Sequence, residues 1–112
     1  MGGKKIKAIR VVPGGVAETI TLSNDLRTLQ DEVGGYIEQH CATESIAMLC
    51  NEEAALSDLA PSVVMCGVLY RGTVIFVGLN EGEWVSLSHS DEGDILDAYG
   101  SREIHDYANH LV

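Results

Sequence analysis

The sequence predicts an α+β fold: a mostly antiparallel sheet of about five to seven strands, one short helix after the first hairpin and two C-terminal helices. Three observations indicate this class. Runs rich in β-branched residues come in clusters, glycine-containing turns separate several of them, and helical spacing is confined to short segments. A chain of 112 residues is the length of one ordinary domain, so we expect residues 1–112 to fold as a single unit.

The first two strands are predicted to form a hairpin. Lys5–Val12 is rich in β-branched residues, and Ala17–Leu22 alternates two sets of side chains. Pro13-Gly14-Gly15 lies between them and is a turn signal. A short glycine-containing turn between two strands favours antiparallel pairing.

A short helix follows this hairpin in the prediction. Asp25–Val33 carries apolar residues at helical spacing, beginning with Leu26. Ser23 or Asn24 can cap its first turn, because their side chains accept hydrogen bonds from free backbone amides. Gly34 can end it, since glycine adopts positive φ at little cost.

Five further strands and two helices complete the predicted order. The strands are Tyr36–Gln39, Ser45–Cys50, Val63–Tyr70, Thr73–Leu79 and Trp84–Leu87. Val63–Tyr70 and Thr73–Leu79 flank Arg71-Gly72, so they form either a hairpin or two core strands. Ser90 and Ser101 can cap helices over Asp91–Tyr99 and Arg102–Leu111, which makes residues 91–112 a helical C-terminal extension.

The charge distribution limits the partners. Seven basic residues against 17 acidic ones give a net charge of −10, and residues 81–112 contain a single base, Arg102. Such a surface repels phosphate backbones and anionic membranes. We therefore expect no direct nucleic-acid binding and no membrane association. An acidic surface can instead attract a basic protein.

The three cysteines indicate a reducing compartment. Their number is odd and no pair has C-x-x-C spacing, so they do not suggest a disulfide framework. Cys50 and Cys66 lie in apolar runs, where a free cysteine is typically a small buried hydrophobe. The N-terminus has no apolar signal segment. We expect a cytoplasmic protein.

The sequence offers little catalytic or metal-binding chemistry. His40 and Cys41 are neighbours, but adjacent side chains on a strand point apart, so they do not predict a nucleophile and its base. His105 and His110 are five residues apart, which places them on different helix faces. The three aspartates of residues 91–97 lack the glycine and distal glutamate of a calcium loop. We expect no metal and no cofactor.

Two polar clusters are the candidate sites. Gly34–Glu38 places Tyr36 just beyond a tight turn, and Asn51-Glu52-Glu53 ends an apolar strand. Each can also be a purely structural turn. A hydrolase that uses Glu38 with Glu52 and Glu53 is disfavoured, because adjacent strand residues face opposite sides.

The same clusters resemble a family of small proteins from phages and mobile elements, described as a domain of unknown function, number 3846. The blocks V-G-G-Y-I-E at Val33–Glu38 and N-E-E at Asn51–Glu53 carry the resemblance, which extends to Gly72–Gly78 and Trp84–Leu87. It covers the chain up to about residue 90. Ala54 departs from the family, which often has glycine there. The resemblance implies a phage-type protein of the bacterial cytoplasm and specifies no activity.

These observations predict a binding protein rather than an enzyme. Our first hypothesis is an anti-defence protein that sequesters a nucleotide-derived host immune signal. The expected ligand-binding residues are Tyr36, Glu38, Asn51, Glu52 and Arg71. The tyrosine would stack on a base, and Arg71, Arg27 or Arg10 would neutralise phosphate. The alternative is an acidic inhibitor, a DNA mimic or blocker, that docks residues 81–106 on a host defence enzyme. Exposed strand edges favour a homo-oligomer.

Overall fold

The computed structural model describes residues 4–14, 16–54 and 58–99. These residues form eight strands and two helices in an α+β arrangement. The elements are β1 (Lys5–Val11), β2 (Glu18–Ser23), α1 (Leu26–Val33), β3 (Ile37–Cys41), β4 (Ile46–Asn51), β5 (Pro61–Met65), β6 (Val68–Arg71), β7 (Val74–Asn80), β8 (Glu83–Val85) and α2 (His89–Tyr99). The predicted last helix, Arg102–Leu111, lies outside the described residues.

Six strands form one antiparallel sheet, as the sequence predicts. Five of them lie in the order β2-β1-β7-β4-β3, and β8 pairs with the last part of β7. The predicted β1–β2 hairpin is confirmed, with Lys5 opposite Ser23 and Arg10 opposite Glu18. Because β2 and β3 lie at opposite edges, α1 carries the chain from one edge of the sheet to the other.

Both faces of this sheet are covered. On one face, α1 packs through Leu29 and Val33 against apolar side chains of β1, β4 and β7. On the other face lie β5 and α2, which contribute Val63, Met65 and Ile95 to a second core. The sheet therefore lies in the middle of three layers, and its central strands are apolar on both sides.

The ends of α1 follow the sequence in part. Gly34 has φ 82° and ends the helix, as predicted. The N-cap is Asp25, not Ser23 or Asn24, because its carboxylate accepts a 2.8 Å hydrogen bond from the backbone N–H of Thr28. Leu26 was expected on the apolar stripe, yet it is exposed.

The prediction of one strand over Val63–Tyr70 is wrong. Cys66 and Gly67 both have positive φ, 53° and 78°, which is the requirement of a type I′ hairpin turn. The run therefore folds back on itself as β5 and β6, which form a separate two-stranded sheet. This turn also places Cys66 on the surface, whereas the sequence predicted that it is buried.

The C-terminal part of the described chain packs on the sheet. α2 begins at His89, earlier than predicted, and its cap is Ser88, whose Oγ accepts from the backbone N–H of Asp91 at 3.1 Å. The Tyr99 ring stacks on Phe76 at a centroid distance of 5.5 Å. Neither described helix has the length and apolarity that crossing a bilayer requires.

Candidate functional site

A groove of about 500 Å³ lies beside the paired ends of β3 and β4, and residues of β6 form its other wall. Four of the five residues expected to bind a ligand line it: Glu38, Asn51, Glu52 and Arg71. The fold thus brings together residues that are up to 33 positions apart in the sequence. The β5–β6 hairpin makes this possible, because it brings β6 over the sheet.

The register of β3 and β4 determines which side chains face the groove. Glu38 pairs with Cys50, and His40 pairs with Met48. Glu38 and His40 are two residues apart on one strand, so they point to the same side of the sheet. Paired residues of neighbouring strands also share a face, which places Cys50 beside them. Glu38, His40 and Cys50 form what we call the β3–β4 cluster.

The side chains of the β3–β4 cluster are in close contact. His40 Nε2 lies 2.9 Å from Glu38 Oε2, and the Cys50 thiol donates to the backbone oxygen of Glu38 at 3.6 Å. Burial raises the pKa of Cys50 to about 11, and the nearby charge of Glu38 adds to the effect. The thiol is therefore protonated near neutral pH and is a poor nucleophile.

Tyr70 contacts the cluster from β6. Its hydroxyl lies 3.4 Å from His40 Nδ1, and the two rings meet edge to face at a centroid distance of 4.9 Å. Burial is the main cause that raises the pKa of Tyr70, and the charges that Cys50, Cys66 and Glu38 carry when deprotonated add to the effect. The hydroxyl stays protonated at neutral pH and can fix the orientation of the imidazole.

Asn51 lies at one end of the groove, and its side chain is bonded within the fold. Its Nδ2 donates to the Val33 carbonyl at 3.4 Å, and its Oδ1 accepts from the backbone N–H of Glu53 at 2.8 Å. The amide therefore ties the end of α1 to the turn after β4. The backbone N–H of Glu52 also donates to the Tyr36 carbonyl at 2.9 Å, so the two sequence blocks meet here.

Tyr36 does not share the groove with the other expected residues. Its side chain is exposed and lines a separate depression with Gln30, Asp31, Gly34 and Gly35. The structure therefore does not bring the expected aromatic ring to the same place as Arg71.

The groove contains two carboxylates and one guanidinium group. Glu38 and Glu52 contribute carboxylates, and Arg71 contributes the guanidinium, whose Nη1 donates to the Leu59 carbonyl at 3.2 Å. Glu53 lines a different depression, as expected for the neighbour of Glu52. The groove can thus accept hydrogen bonds from a ligand through its carboxylates and bind one anionic group through Arg71.

Comparison with known proteins gives a family. A family model described as a domain of unknown function, DUF3846, matches residues 6–100. The chain belongs to the DUF3846 family. The matched range includes both sequence blocks and all residues that line the groove. No curated protein and no solved structure matches the chain.

Sequence reasoning missed three titratable groove residues of this DUF3846 member: His40, Cys50 and Tyr70. The spacing of Glu38 and His40 on a predicted strand was an available signal, since it places both on one face. The position of Cys50 depends on the β3–β4 register, and that of Tyr70 depends on the hairpin at Cys66-Gly67. Neither position can be predicted from the hydrophobic pattern of a single segment of the sequence.

Proposed function

We propose that this DUF3846 protein is a non-enzymatic binding protein that holds a nucleotide-derived small molecule in the groove. The observation that carries the proposal is the convergence of Glu38, Asn51, Glu52 and Arg71 on one concave surface. The volume of about 500 Å³ is in the range of small-molecule sites. Such sites combine apolar walls with a few polar groups that orient the ligand.

The lining matches the chemistry of a nucleoside that carries one anionic group. The carboxylates of Glu38 and Glu52 can accept hydrogen bonds from ribose hydroxyls or from the exocyclic amine of a base. Val68 and Leu69 of β6 supply apolar surface for a base, and Arg71 can bind a phosphate. Two carboxylates near one guanidinium disfavour a triphosphate, because like charges repel in a partly desolvated site.

The groove is better suited to binding than to covalent catalysis. The Cys50 thiol, with its pKa raised to about 11, holds its proton at neutral pH. Glu52 and Glu53 face different depressions, so they do not form an acid–base pair. A protein that holds a ligand without converting it lowers the free concentration of that ligand.

The biological role we propose follows from this property. The resemblance of the V-G-G-Y-I-E and N-E-E blocks to phage and mobile-element proteins supports an anti-defence function in the cytoplasm of a bacterial host. There the protein would sequester a nucleotide-derived immune signal. Native mass spectrometry of the purified protein tests this role, since it reports both a retained small molecule and the homo-oligomer that the sequence predicts.

A matched pair of variants tests the groove itself. Val68 lies in the groove and is 50% exposed, whereas Val16 lies outside it and is 48% exposed. Val68→Trp fills the groove, and Val16→Trp adds the same ring elsewhere. We expect isothermal titration with adenosine, AMP and ADP-ribose to show binding that Val68→Trp weakens at least tenfold and Val16→Trp preserves. Absence of binding by every probe, or equal binding by Val68→Trp, would overturn the proposal.

A second candidate function rests on the acidic surface of α2. Asp94 and Asp97 are exposed there, in a chain with a net charge of −10. These side chains could occupy a basic, DNA-binding surface of a host defence enzyme. Inhibition of such a nuclease that weakens with salt and disappears in Asp94→Lys/Asp97→Lys would favour this function. Inhibition that persists in the charge-reversed variant would exclude α2 as the docking surface.

A further inference from the structure

We propose that Glu38, His40 and Cys50 together bind one zinc ion in the groove, with a fourth coordination position open to the ligand side. A carboxylate oxygen of Glu38, a ring nitrogen of His40 and the sulfur of Cys50 all lie within 4.8 Å of one another. These three side chains come from two hydrogen-bonded strands of the central sheet. The zinc site shares Glu38 with the proposed nucleotide site, but its formation does not require that ligand.

The geometry of the β3–β4 cluster is close to that of a tetrahedral site. Zinc bonds of about 2.0–2.3 Å place neighbouring ligand atoms roughly 3.3–3.8 Å apart. The atoms of Glu38 and His40 are 2.9 Å apart, so they would separate slightly, while the sulfur of Cys50 would approach. Rotations of the partly exposed Glu38 and His40 side chains are sufficient, and the paired backbone can stay in place.

The donor set selects the type of metal. A thiolate and an imidazole favour zinc and other soft or borderline metals, whereas calcium and magnesium prefer oxygen ligands alone. Three protein ligands leave one tetrahedral position, which water or a ligand atom can fill. Glu38, His40 and Cys50 all line the groove, so that position opens into it.

The neighbours of the cluster support this assignment. Tyr70 contacts Nδ1 of His40 and leaves Nε2 directed at Glu38. Metal-binding histidines commonly have a hydrogen-bond partner on their second nitrogen, which fixes the ring orientation.

Cobalt(II) gives a direct test on the untagged full-length protein after treatment with a chelator. We expect one equivalent of Co²⁺ to produce a thiolate-to-cobalt charge-transfer band and the visible bands of tetrahedral cobalt, and Zn²⁺ to abolish both. Cys50→Ser should remove the charge-transfer band, and His40→Gln should weaken binding at least tenfold. Cys41→Ser and Cys66→Ser are matched controls, since both cysteines are exposed and outside the cluster.

Two further measurements keep the test decisive. Circular dichroism of Cys50→Ser shows whether a lost band reflects the site or the fold. Tyr70→Phe should lower the affinity for Co²⁺ about tenfold without removing the charge-transfer band, because Tyr70 orients His40 and is not a ligand. No band in the unmodified protein, or a band that survives in folded Cys50→Ser, would overturn the zinc site. Neither result bears on nucleotide binding, which the titrations measure separately.

Discussion

Gly35 lies directly against the side-chain amide of Asn51. A β-carbon on Gly35 would be 2.9 Å from Asn51 Nδ2 and 3.3 Å from both Cγ and Oδ1. The amide has little room to move, because it donates to the Val33 carbonyl and accepts from the Glu53 backbone. This contact joins the V-G-G-Y-I-E and N-E-E blocks and holds one end of the groove in place.

Gly35→Ala should therefore destabilise the protein. The added methyl group has to displace Asn51, and we expect the free energy of unfolding to fall by about 1–3 kcal/mol. Urea unfolding followed by the fluorescence of Trp84, the single tryptophan of the chain, measures this change. Gly93→Ala is the control: it meets nothing within 4 Å on the helix α2, so we expect it to stabilise by about 0.5–1 kcal/mol.

A double-mutant cycle tests whether Asn51 is the cause. In an Asn51→Ala background the methyl group of Gly35→Ala no longer meets the amide. We expect Gly35→Ala to cost at least about 1 kcal/mol less there than in the unmodified protein. Strictly additive changes in the free energy of unfolding would show that a contact other than the one with Asn51 opposes a side chain at position 35.

The turn between β7 and β8 predicts a stabilising substitution. Glu81 has φ 52° and is followed by Gly82 with φ 81°, as a type I′ turn requires. Asparagine adopts positive φ more readily than other non-glycine residues. Glu81→Asn should therefore raise the free energy of unfolding by about 0.5–1 kcal/mol. Glu81→Gln removes the same charge without this backbone preference, so an equal gain there would assign the effect to charge alone.

The hydroxyl of Tyr99 links α2 to β5. It donates to the Val64 carbonyl at 2.9 Å in a partly buried position. Removing one such hydrogen bond should cost about 0.5–1.5 kcal/mol, so we expect Tyr99→Phe to lower the midpoint of urea unfolding. Tyr36→Phe is the matched control, because Tyr36 is exposed. Equal midpoints for both variants would contradict a structural role for the Tyr99 hydroxyl.

Local sequence signals were sufficient for part of this fold. Pro13-Gly14 predicted the first hairpin, and Gly34 predicted the end of α1, because the backbone there depends on the residue types themselves. The prediction of a single strand over Val63–Tyr70 was wrong because the turn within it has cysteine, rather than asparagine or aspartate, at its first residue with positive φ. Gly67 was the one local sign of this turn, because an isolated glycine inside a strand pattern often marks an irregularity of the strand.

Only some of the polar residues of the groove could be predicted from the sequence. Glu38, Asn51 and Glu52 were predicted because they belong to the two polar clusters, and Arg71 because a phosphate requires a basic partner. Their meeting with Cys50 depends on the pairing of β3 with β4, a long-range property that no local period encodes. Cys50 itself looked like an ordinary core residue, and it is buried, but its sulfur also faces the groove.

The contacts of Glu92 with Lys7 and Thr19, which we call the Glu92 clamp, predict how acid affects the stability of the protein. Glu92 Oε1 lies 2.7 Å from Lys7 Nζ, and its Oε2 accepts from the Thr19 hydroxyl at 2.6 Å. The Lys7 hydrogen bond is the main cause that lowers the pKa of Glu92, and the Thr19 bond is the second. The clamp joins α2 to β1 and β2, so its loss should loosen the packing of α2 on the sheet.

The sign of the pH dependence follows from this lowered pKa. A carboxylate whose pKa is lower in the folded state stabilises the protein above its unfolded pKa and loses that contribution as pH falls through the folded value. We expect the unmodified protein to lose more free energy of unfolding between about pH 5 and pH 3 than Glu92→Gln does. Glu83→Gln removes the same charge from an exposed residue. Its free energy of unfolding should depend on pH as that of the unmodified protein does. If the free energy of unfolding of Glu92→Gln shows the same pH dependence as the unmodified protein, the clamp does not couple folding to pH.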